Sequence, residues 1–94
     1  MTYHQAKAIL EARKQYLEAR LTAVADLIER VKSITNLPPD ADIHAAVVQL
    51  ASAYLDFLTA MQGELKANHK GVVDEQVELE RAAVRSVIIP GVTQ

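Results

Sequence analysis

Residues 33–44 read Ser-Ile-Thr-Asn-Leu-Pro-Pro-Asp-Ala-Asp-Ile-His, and the fold turns on how they behave. Pro38 and Pro39 lack the amide that an interior helix position donates, and each pushes its predecessor out of helical geometry. Before them the chain holds neither proline nor glycine and is dominated by Ala, Leu, Glu, Lys and Arg, the strongest helix formers. A helix therefore ends near Asn36, which tolerates a left-handed cap. A second begins after Asp40, an N-cap whose carboxylate accepts from orphan amides, with Asp42 in the positive first turn. Two long helices joined by so short a turn pack antiparallel.

Upstream, Thr2 and Gln5 make a T-x-x-Q capping box, which opens helix 1 over residues 3–34. Leu10, Leu17, Leu21, Val24, Leu27, Ile28 and Val31 cluster on one side. Ile9, Tyr16 and Ile34 widen that apolar stripe to about 140°. Lys7, Glu11, Lys14, Glu18, Asp26 and Glu29 lie opposite and face solvent.

Downstream, helix 2 is predicted over residues 41–68. Its main stripe is Ile43, Val47, Leu50, Tyr54, Phe57, Leu58, Met61 and Leu65, the side expected under helix 1. Val48, Ala51 and Leu55 extend the apolar arc to about 180°, wider than one neighbouring helix covers. These three, with Ile89 and Val92 of the C-terminal tail, are the candidate interface residues. Asn68-His69-Lys70-Gly71 has the form of a helix ending, with basic groups at the negative terminus and glycine at the left-handed position. Asp74 then caps a third helix over residues 74–89, with a narrow stripe of Val73, Val77, Val84 and Ile88, and Pro90 stops it. The apolar tail, residues 89–94, holds Ile89 and Val92, which lie beyond that stripe and need a surface to dock on. The expected fold is all-α: a long antiparallel helical hairpin plus a shorter third helix, one domain over residues 1–94, its bundle completed by self-association.

Composition sets the bounds on chemistry. Half of the 94 residues are hydrophobic, but only Tyr3, Tyr16, Tyr54 and Phe57 are aromatic, so the core is aliphatic. With no cysteine, disulfides and thiolate metal sites are excluded. Net charge is −2. Residues 1–39 carry six of the ten Lys and Arg against four acids, and residues 40–94 four against eight. That asymmetry fits pairing within the fold, and it leaves no single-signed face for nucleic acid. No 18-residue apolar run suggests a membrane span, and Met1-Thr2-Tyr3-His4-Gln5 is too polar to open a signal peptide, so a cytoplasmic protein is expected.

His4, His44 and His69 sit singly near predicted helix ends, without metal-ligand spacing. Asp40, Asp42 and His44 are better explained by capping than by a metal. Ser33, Ser52 and Ser86 lack a nucleophile-elbow glycine pattern, and the isolated Gly63, Gly71 and Gly91 make no phosphate loop. The sequence thus predicts no enzyme and no cofactor. It predicts a protein–protein interaction module that binds itself and a larger protein, as assembly factor, adaptor or inhibitor. The alternative is an oligomer holding a small anionic ligand between protomers through Arg13, Tyr16 and Arg20, whose cations flank the apolar stripe of helix 1.

Overall fold

The computed structural model describes the backbone of residues 1–35 and 41–88, with side-chain environments for 1–34 and 45–86. Among these residues the only regular secondary structure is helix, with α1 over Tyr3–Thr35 and α2 over Ala41–Ile88. The capping box forms as a reciprocal pair. The Gln5 amide donates to Thr2 Oγ1 at 3.2 Å, and the Thr2 amide donates to Gln5 Oε1 at 2.9 Å. The two helices lie on either side of residues 36–40, and Pro38 and Pro39 themselves lie outside the described residues. Asp40 lies outside the described residues, and of Asp42 and His44 only the helical backbone is described.

The expected second break is absent. α2 continues for 48 residues through Asn68, Gly71 and Asp74, and no described glycine has a positive φ. One helix therefore stands where the sequence suggests a helix 2 ending at 68 and a helix 3 starting at 74. Two side-chain contacts span or border the expected break. Lys70 pairs with Asp74 at 3.0 Å, and His69 Nε2 lies 3.1 Å from Glu18. The energies explain the continuity. A helical glycine costs about 1 kcal/mol against alanine, whereas proline costs about 3. Burial of the neighbouring Val72, 5% exposed, offsets a glycine and would not offset a proline.

The chain forms two compact units. The first comprises Met1–Glu18 with Ala67–Gln94. Its buried residues are Leu10 and Leu17 from α1 and Val72 from α2. Tyr3 donates to Glu80, Gln76 donates to Glu11, and His69 meets Glu18. Numbers rise on one helix as they fall on the other, so this unit is an antiparallel pair. The second unit is Ala19–Lys66, and its core is Val24, Ile28 and Val31 from α1 with Ala51, Leu58 and Leu65 from α2. Leu58 is only 1% exposed.

The buried positions keep a stricter period than a straight amphipathic helix. Leu10, Leu17, Val24 and Val31 are seven apart on α1, as are Ala51, Leu58, Leu65 and Val72 on α2. Half-buried Leu55, Gln62, His69 and Gln76 fall in the alternate positions of the same α2 seam. A 3.5-residue repeat on both partners is the signature of knobs-into-holes packing. The stripe expected beneath helix 1 is buried only in part, with Leu58 and Leu65 in the seam. Leu50, Tyr54 and Phe57 are exposed, and Met61 is half-buried. Followed along α2, that outward stripe runs into Glu64, Asn68, Gly71 and Glu75. Burying it along the full helix would strand charges. The seam through Ala51 and Leu58 continues as Leu65, His69 and Val72 and carries no carboxylate.

Candidate interaction face

On the Ala19–Lys66 unit, α2 presents Leu50, 74% exposed, Tyr54, 43%, and Phe57, 58%. The two rings stack with centroids 6.4 Å apart and planes 25° from parallel. That geometry lies within the favourable offset range for aromatic pairs and holds both rings as one apolar block. Ile34 of α1 adds a further exposed apolar residue in the same unit. Ala46, Ala53 and Ala60 are also exposed, so α2 is apolar well away from its buried seam. Scattered single apolar residues on a surface are ordinary, but a contiguous patch marks a binding surface.

None of the described residues anticipated as the interface lies on this face. Ala51 is buried at 6%, and Val48 and Leu55 are half-buried, because all three occupy the 3.5-period seam. Leu50, Tyr54 and Phe57, anticipated as core, form the outward face instead. The sequence signal that separates the two stripes is their continuation: one carries Leu65 and Val72, the other Glu64 and Gly71. Ile89 and Val92 lie outside the described residues.

Two of the three anionic-ligand residues share one depression. Arg13 and Tyr16 line a shallow depression in the first unit with Leu17, Asn68, Gly71 and Glu75, whereas Arg20 belongs to the second unit. Glu75 places a carboxylate in that depression, opposing an anion there. Val77 and Val84, expected to cover one end of the hairpin, are 43% and 51% exposed. They line an open apolar hollow rimmed by Glu80, Arg81 and Arg85.

The charged groups mostly serve local pairing. Lys7 reaches Glu80 at 4.0 Å, Lys32 reaches Glu29 at 3.7 Å, and Arg81 reaches Glu78 at 2.8 Å. Such exposed pairs are worth at most about 1 kcal/mol each. Tyr3 is the exception in its chemistry: its hydrogen bond to Glu80, with some desolvation and the repulsion of that carboxylate, raises its pKa above 10.0. Among the described residues no group of three His, Asp or Glu side chains is placed to hold a metal ion. No helix there is long and apolar enough to cross a membrane. No family model matches the chain, and no curated protein and no solved structure shows significant similarity to it.

Proposed function

We propose that this chain is a helical protein–protein interaction module that associates with itself through the outer face of the Ala19–Lys66 unit. The observation that carries the reading is the stacked Tyr54–Phe57 block beside a Leu50 that is 74% exposed. Full burial of a Leu or Phe stabilises by about 1.5–3 kcal/mol, so covering this face is a strong drive for a domain with thin margins. The role is non-enzymatic. An assembly factor, adaptor or inhibitor of a larger protein would use the same face, or the Val77–Val84 hollow, as its contact.

Sedimentation over a wide range of protomer concentration tests this. The wild-type chain is expected as a dimer or higher oligomer, and Leu50→Glu is expected to shift it to monomer while circular dichroism stays helical. A wild-type chain that remains monomeric at high concentration refutes the proposal. The anionic-ligand reading receives no comparable support, since Glu75 shares the depression with Arg13.

A further inference from the structure

We infer that the occupant of this face is the same α2 segment of a second copy, running antiparallel, with Leu50 and Phe57 each seated on an alanine. The inference rests on the self-association proposed above and specifies its register. Exposed along α2 are Ala46, Leu50, Ala53, Phe57 and Ala60, at spacings of four, three, four and three. This row has its own 3.5-residue period and lies about 150° around the helix from the buried seam, at 3.6 residues per turn. α2 therefore has two packing faces, one used within the chain and one open.

The order of sizes on the open face selects the partner. A two-fold axis makes residue i meet j wherever j meets i. Setting Leu50 against the partner's Ala60 places Ala53 against the partner's Phe57 without further adjustment, because both pairs of numbers have the same sum. Leu50 and Phe57 then each face an alanine, twice over, as close-packed interfaces require. Parallel pairing in register would instead set Phe57 against Phe57 and alanine against alanine, leaving bulges beside voids. Rows of alanine also let two helices approach to about 8 Å, the short end of ordinary interaxial distances.

The exposed area is of the right order. Leu50, Tyr54 and Phe57 leave roughly 300 Å² uncovered, taking side chains of this size at about 150–250 Å². That is more than a third of the roughly 800 Å² each partner buries in a stable complex. The alanines and the stems of flanking polar side chains on α2 add to it.

Cysteine cross-linking of the full chain tests the register, since the native sequence has no cysteine. Leu50→Cys and Ala60→Cys chains would be mixed and treated with a short bis-maleimide, with helicity checked in each. The mixture is expected to give abundant cross-linked dimer and each variant alone little. In the antiparallel pair the two copies of residue 50 sit ten residues, about 15 Å, apart along the axis. A size exchange provides a second readout. Ala53→Phe is expected to weaken dimerisation at least tenfold, and adding Phe57→Ala to restore most of it. A wild-type chain that sediments as a monomer removes both this inference and the function it rests on. A wild-type dimer in which each cysteine variant cross-links alone, or neither arrangement does, or Ala53→Phe tightens association, overturns the register while self-association stands.

Discussion

Replacing Gly71 by Ala is a direct test of whether α2 is one helix. Gly71 sits in the interior of the 48-residue helix with no left-handed backbone, and a Cβ built there meets nothing within 4 Å. The substitution therefore brings neither clash nor new contact. What remains is conformational entropy, since alanine has fewer unfolded conformations to lose, and the expected gain is about 0.5–1 kcal/mol. Gly63 is equally unobstructed and lies eight residues, about 12 Å, away along the helix. The two gains should add, giving about 1–2 kcal/mol for the double variant. In a domain this small each kcal/mol raises Tm by about 4–8 °C. Thermal and urea unfolding would be compared at one protomer concentration, because self-association makes Tm depend on it. The opposite sign at one site decides the issue. If Gly63→Ala stabilises and Gly71→Ala destabilises, residue 71 needs a left-handed backbone, and the chain breaks there into separate helices.

Two further outcomes separate the inner and outer faces and probe the end of the first unit. Leu58→Ala is expected to cost about 2–5 kcal/mol in urea unfolding, as Leu58 is 1% exposed, whereas Leu50→Ala at a 74% exposed site should leave the unfolding free energy of a dilute monomer nearly unchanged; equal costs would contradict the assignment of the seam. Tyr3 should ionise above the usual tyrosine value of 10.0 because Glu80 accepts its hydrogen bond. Its folded pKa is the higher one, so the contact's stabilisation is present below pH 10 and is lost as pH rises through the folded pKa. Phenolate absorbance of wild type minus Tyr3→Phe measures that titration, and Glu80→Gln should move it down; no movement would mean the bond does not persist in solution.

Which features were legible in the sequence follows from the size of each signal. The helix stop expected at Pro38 and Pro39 rests on the largest local signal in the chain, since a proline inside a helix costs about 3 kcal/mol, more than local packing returns. Those residues lie outside the described ones. The capping box at Thr2 and Gln5 was legible because both partners lie within four residues and need no tertiary contact. The ending suggested by Asn68 and Gly71 was a signal of about 1 kcal/mol, and a helix packed on both sides of it overrides such a preference. The identity of the buried stripe was only partly legible. Leu58 and Leu65 read as core, but both rows of α2 repeat every seven residues and drift alike by about 20° each time, so period alone does not choose between them. Leu50, Tyr54, Phe57 and Met61 fall together over a few turns and carry the rings, which made them resemble the core. Length decides between the two, because a seam must pair with α1 along its course, and only the stripe with Leu65 and Val72 continues without Glu64 and Glu75. The displaced stripe is then the informative one. Its large residues are left outward in a helix whose core needs are already met, and alternate with alanine at Ala46, Ala53 and Ala60. A face that merely tolerated exposure would have no reason to keep that alternation in a 3.5-residue period; a face that packs a second helix does.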